Sequence, residues 1–153
     1  MYSKDCGPAK ARAQVSGMTY RFSSGSCEVG VERKVRFFGI GIGLAQDSWT
    51  GPAIDSHTFG VSVRHYTGPG TYSTRDRAGV SVRVGKHIWH TVPALAVYRK
   101  LGVYRGPGTV TVNSGEQSGT FSAPVPDDSS DLTSDSALAD APTVSITGSF
   151  TCR

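Results

Sequence analysis

Four histidines and three widely spaced cysteines have the broadest chemical reach in this chain, and their neighbours decide what they can do. His87 and His90 stand three apart in His-Ile-Trp-His. On a helix that spacing puts both imidazoles on one face, and on a strand it puts them on opposite faces. The segment reads as a strand, so no shared metal ion is expected. Asp55-Ser56-His57 sets three triad-type residues side by side. A triad works by convergence in space around an oxyanion hole, which adjacency in sequence does not supply, and the chain lacks a Gly-x-Ser-x-Gly elbow. The main reading is therefore a non-enzymatic one without metal or cofactor. The alternative is a small extracytoplasmic hydrolase or metal-binding protein using His57, His87 or His90.

Gly39-Ile-Gly-Ile-Gly-Leu44 has the look of a phosphate loop, but no Lys-Ser/Thr follows it. Glycine at alternate strand positions more often marks close approach by another backbone or a ring. Val63-Arg-His-Tyr and Val97-Tyr-Arg-Lys interleave cations with aromatics, as single-strand nucleic-acid binders do, yet an extracytoplasmic protein rarely meets that ligand and none is expected. Trp49 and Trp89 can stack on sugars or fill a core, and filling a core is the commoner fate of a tryptophan in a strand.

No Cys-x-x-Cys pair occurs among Cys6, Cys27 and Cys152, which removes support for zinc or thioredoxin-type chemistry. Cys27 and Cys152 each end a strand-like segment, so a disulfide between them is the preferred pairing. Two buried thiols, or a Cys6–Cys27 bridge, are the other readings.

The elements that must position these residues are short and β-rich. The chain has 153 residues, enough for a single domain over 1–153, and 37% are hydrophobic, while Gly and Ser abound. Strand patterns run over 14–22, 29–44, 59–66, 80–84, 88–92, 109–112, 119–122 and 143–150. Gly85-Lys86 forms a two-residue hairpin loop between two of them. About eight short strands with turn chemistry between them predict an all-β, antiparallel β-sandwich. Thr91 to Gly102, with an early Pro93, also carries the marks of a helix. Gly-Pro-Gly recurs in Tyr66–Tyr72 and Tyr104–Val110, and Gly-x-Phe recurs at Gly119 and Gly148; both read as repeated local chemistry, not duplication. Residues 124–142 hold five acids and no base, and are expected to form a mobile acidic loop, with a short turn of helix near Ser134 to Leu138 allowed.

Charge is segregated. Residues 61–110 carry eight Lys or Arg against one acid, and residues 111–153 one Arg against six acids. A basic surface of this kind favours anionic partners. Arg64, Arg75, Arg77, Arg83 and Lys86 are the candidate contacts to an anionic envelope polymer or lipid. The competing account is that these are solvated strand faces.

Three passages carry a resemblance. They are Val15-Ser-Gly-Met-Thr-Tyr-Arg-Phe-Ser-Ser-Gly-Ser-Cys27, His65-Tyr-Thr-Gly-Pro-Gly-Thr-Tyr72, and the close Gly119-Thr-Phe-Ser … Val144-Ser-Ile-Thr-Gly-Ser-Phe-Thr-Cys152. Together they resemble the small secreted lipoproteins of actinobacteria, among them the mycobacterial nineteen-kilodalton lipoprotein antigens. The resemblance implies an antiparallel β scaffold with an early cysteine bridged to one in the C-terminal strand, here Cys27 and Cys152. It also implies a secreted or envelope-anchored surface protein with no established catalytic activity. Residues 85–107 fall outside it, and Cys6 is an addition. Met-Tyr-Ser-Lys has no apolar core of a signal peptide, so any lipid anchor is expected upstream.

Overall fold

A computed structural model describes residues 2–43, 57–85, 87–92, 94–127 and 135–152. The strands are β1 (Tyr2–Val15), β2 (Met18–Glu32), β3 (Val35–Ile42), β4 (His57–Arg64), β5 (Gly70–Ser73), β6 (Ala78–Val84), β7 (His87–His90), β8 (Thr109–Val112), β9 (Ser118–Pro126) and β10 (Thr143–Thr151). Two short helices interrupt them, α1 (Ala96–Lys100) and α2 (Asp135–Asp140). All strand pairs are antiparallel, in one sheet of order β5-β8-β9-β10-β1-β2-β3-β4-β6-β7. The all-β antiparallel expectation holds, with ten strands in place of about eight.

The sheet is open at β5 and β7 but doubles over on itself. Strands in a flat sheet lie about 4.8 Å apart, which would separate β4 from β9 by more than 20 Å. Instead Phe59 of β4 meets Phe121 of β9 with ring centroids 5.5 Å apart, and Phe38 of β3 meets Phe150 of β10 at 5.9 Å. One face of the sheet thus encloses a core of Val61, Val63, Val82, Val110, Val125 and Ile146 around these rings. The sandwich is a single folded sheet.

Alternation explains each strand. In β1 the buried residues are Ala9, Ala11, Ala13 and Val15, with exposed Lys10, Arg12 and Gln14 between them. Alanine favours strands weakly, so β1 is hard to see in sequence, and the apparent strand 14–22 is the β1–β2 hairpin. The expected strand 29–44 likewise divides into β2 and β3 at Arg33 and Lys34, whose φ angles of 49° and 68° make a two-residue turn between Glu32 and Val35.

The two Gly-x-Phe passages have a joint explanation. β9 and β10 pair so that Phe121 faces Gly148 and Phe150 faces Gly119. A Cβ on Gly119 would strike the Phe150 ring and the Thr111 carbonyl, and one on Gly148 would strike the Phe121 ring and the Arg12 carbonyl. Each ring lies over the other strand's bare Cα.

The helix predicted over Thr91–Gly102 shrinks to Ala96–Lys100. Its start differs because the Thr91 hydroxyl accepts the Val80 N–H at 3.1 Å instead of capping a helix. Its end is as expected, with Gly102 at φ 72°.

The expected acidic loop 124–142 is described only in part, with residues 128–134 outside the described residues, and the turn of helix allowed near Ser134 to Leu138 is met by α2. Residues 124–126 belong to β9, and α2 lies within the rest. Asp127 accepts the Trp89 indole N–H at 3.1 Å. The Arg105 guanidinium caps α2, donating from one nitrogen toward the carbonyls of Leu138, Ala139 and Ala141 at 3.1, 2.8 and 2.7 Å. Cations suit helix C-termini, where carbonyls lack partners. These described parts are tied to the body.

Candidate functional site

The outward face of β2, β3, β4 and β6 is nearly bare of side chains. Register sets Ser26, Gly41, Gly60 and Ser81 in one row across the four strands, and Glu28, Gly39, Ser62 and Gly79 in the next. The expectation that the β3 glycines mark a close approach by protein is not met at Gly39. A Cβ there would meet nothing nearer than 3.9 Å, and at Gly60 nothing nearer than 3.7 Å, both ordinary contacts; neither residue has positive φ. Glycine within an element destabilises by roughly 0.5–1 kcal/mol relative to alanine, and nothing inside the fold recovers that here. Glycines of this kind leave room for something outside.

That face holds two depressions. The larger, about 860 Å³, is lined by Ser24, Ser26, Glu28, Gly39, Gly41 and Ser62 among others. The second, about 330 Å³, shares Gly39 and Ser62 and continues to Phe37, Arg33 and Arg64. Together they form one trough with a hydroxyl-and-glycine floor edged by Glu28, a half-buried aromatic ring, and an end where Arg33 and Arg64 stand beside Glu32.

The cationic end is built by strand register. Arg64 of β4 lies opposite Phe37, and its N–H donates to the Arg77 carbonyl at 2.8 Å. Arg75 and Arg77 lie in the turn between β5 and β6, and both are exposed. Exposed Arg33 and Lys34 join them from the β2–β3 hairpin, whereas Arg36 points to the other face, over the Tyr66 ring. Glu32 and Asp76 are the acids interspersed there.

Arg83 stands apart. It faces outward between inward Val82 and Val84, as expected, but pairs with Thr58, six residues along β4 from Arg64, about 20 Å away at strand rise. It is half-buried, and its Nε has no hydrogen-bond partner among the described residues. Lys86, Trp49, Asp55 and Ser56 lie outside the described residues. The structure thus brings together Arg64, Arg75 and Arg77 and separates Arg83. The sequence reading missed Arg33, Lys34 and Phe37; the Arg33-Lys34 dipeptide was hidden inside what looked like one strand.

The histidines do not converge. His87 and His90 point to opposite faces of β7, and His57 and His87 flank Val84 from either side of β6. His57 leans on Phe22 and His87 on Trp89, with ring centroids 6.0 and 5.5 Å apart. His90 is half-buried, and burial lowers its pKa below the ordinary 6.5. Among the described residues, no three His, Cys, Asp or Glu side chains gather as a metal site.

Cys27 and Cys152 are joined in a buried disulfide spanning 125 residues, with Cα atoms 5.7 Å apart. Gly7, at φ 115°, lies against it, where a Cβ would come 2.5 Å from the Cys152 carbonyl oxygen. Cys6 is outside the bridge and lines a depression of about 480 Å³ with Arg36 and Glu116. Nearby, the Tyr66 hydroxyl is buried without a partner in hydrogen-bonding geometry among the described residues. Burial raises its pKa above the phenolic 10.0, and the Glu116 carboxylate raises it further from beyond bonding geometry.

Comparison of the chain with protein-family models, with curated proteins and with solved structures returned no match.

Proposed function

We propose that this protein is an extracytoplasmic, non-catalytic binding module that holds an anionic, hydroxyl-bearing envelope polymer in the trough across β2, β3 and β4. One observation carries the reading: Gly39 and Gly60 leave open space on a sheet face where neither backbone conformation nor packing calls for glycine. An extended polymer can lie close to such a floor. Ser26 and Ser62 offer hydroxyls to it, Phe37 an apolar platform for a sugar ring, and Arg33 and Arg64 a charge for phosphate or carboxylate. Cations grouped within about a Debye length, ~8 Å at physiological salt, reinforce one another toward a polyanion. The buried disulfide is compatible with an oxidising compartment. The resemblance to secreted actinobacterial lipoproteins supports the same location.

The test is binding of a teichoic-type polyanion and of neutral dextran at low and high salt. Expected is anion-selective binding that weakens steeply with salt. Gly39→Val with Gly60→Val should weaken it at least tenfold while the melting temperature holds, and Arg64→Gln should flatten the salt dependence. Equal binding of both polymers, or unchanged binding after the glycines are filled, overturns the reading.

A further inference from the structure

The segment between β7 and β8 exposes apolar side chains that the core does not use. α1 buries none of its residues, and Leu95 and Val97 are each 58% exposed and Leu101 40%. Large exposed apolar groups are unremarkable singly, but here three fall within one short excursion.

The excursion is held in place. At its base Ala94 donates its N–H to the Arg75 carbonyl at 3.4 Å. At its far end Gly102 and Val103 donate to the Arg99 and Tyr98 carbonyls, each at 3.0 Å, and Val103 is fully buried. Val97 and Leu101, four apart, share a helix face. The apolar groups are therefore presented on a fixed protrusion.

Its own residues carry charge of one sign, while Arg105 seats the end of α2, with exposed Asp140, by Gly102. Arg99 and Lys100 are exposed beside the apolar tips, and exposed Arg75 and Arg77 lie at the base with Asp76 between them. From Arg77 to Gly115 the sequence contains no acid. Half-buried Tyr98 and Tyr104 flank the helix, the latter 5.9 Å from the Arg99 guanidinium. Apolar tips, flanking cations and amphipathic aromatics are what an interfacial membrane contact requires.

We infer that the 95–101 protrusion docks on an anionic lipid surface, with Leu95, Val97 and Leu101 entering the headgroup–acyl boundary and Arg99 and Lys100 pairing with lipid phosphates. The residues that enter the lipid surface are not those of the polymer trough, with Arg75 and Arg77 alone lying near both, and the inference stands independently of that reading.

The experiment mixes the full, disulfide-intact chain with vesicles of phosphatidylcholine, with or without phosphatidylglycerol, and measures co-sedimentation. Binding should require the anionic lipid. Arg99→Gln with Lys100→Gln should weaken it about 30-fold, from roughly a fivefold contribution per cation near such a surface. Val97→Ser with Leu101→Ser should weaken it at least tenfold. In a Leu95→Trp variant, the added indole's emission should shift to the blue on binding and be quenched by brominated acyl chains. All these positions are exposed, so melting temperatures should hold, and polymer binding should be unchanged in the α1 variants. Undiminished vesicle binding by the serine variant, or no shift from the Leu95→Trp indole, overturns the inference. So does concentration-dependent dimerisation of the parent chain that the serine variant abolishes, which would make a second copy the occupant.

Discussion

The indole N–H of Trp89 donates to the Asp127 carboxylate at 3.1 Å, tying edge strand β7 to the residue that follows β9. Trp89 is also stacked between Tyr20, at 5.9 Å, and His87, at 5.5 Å. The contact closes one side of the folded sheet, where the order β5 to β7 leaves two open edges. Arg105 makes a second tie by capping α2.

Replacing 127–140 by a short glycine-containing turn removes both ties and should lower the melting temperature by several degrees. Asp127→Ala alone should cost about 1 kcal/mol, below the usual range for a charged hydrogen bond because the site is partly solvated. Thermal unfolding by circular dichroism checks both, and an unchanged midpoint for the replacement would return the segment to a dispensable loop.

Thiol titration of the unfolded, unreduced protein should find one reactive group, that of Cys6. Removing the bridge with Cys27→Ser and Cys152→Ser should destabilise by roughly 4–5 kcal/mol in the chain-entropy model for so long a loop, with less if the native state relaxes. Gly7→Ala should act in the same direction, because its Cβ has no space beside Cys152. Chemical denaturation gives the magnitudes.

The glycines should separate into two groups. Gly39→Ala and Gly60→Ala should leave stability unchanged or raise it by about 0.4–1 kcal/mol through the unfolded chain's lost freedom. Gly119→Ala and Gly148→Ala should each lower it by about 1–3 kcal/mol, since backbone and ring must move. Urea midpoints for the four variants distinguish glycines kept for the fold from those kept for the outer face.

His90 gives the fold an acid sensitivity. Its folded pKa lies below the unfolded 6.5 because burial disfavours the charged ring. Below pH 6.5 the unfolded chain takes up a proton that the folded one refuses, so stability falls as pH drops toward the folded pKa; above 6.5 the contribution is whole. His90→Gln should flatten this part of a melting-temperature profile between pH 8 and 5.

Legibility in the sequence followed the strength of local signals. β6 and β7 with their Gly85-Lys86 loop were plain, because valine alternation and a glycine turn coincide, and Val84 pairs with His87 as that loop requires. The Cys27–Cys152 bridge was expected and is present, but Cys27 lies inside β2 and not at a strand end as the sequence reading held. β1 was not, because its core positions are alanines, and β5, four residues long, was too short to show a period. The turn at Arg33 and Lys34 was invisible because neither residue type announces positive φ. Only Arg64, Arg75 and Arg77 of the cationic end were legible, since Arg33 and Lys34 reach it through the pairing of β3 with β4. The trough itself depends on which glycines share a face, and register alone decides that.

β1 lies in the middle of the sheet with β2 on one side and β10 on the other. Its first partner is synthesised at once, but its second arrives only after β9, and the bridge from Cys27 waits equally long for Cys152. Contacts so distant along the chain cannot form early. The hairpins from β1 to β4 have their partners early, and the folded sheet closes last, at the seam of β1 with β10 and at the bridge beside it.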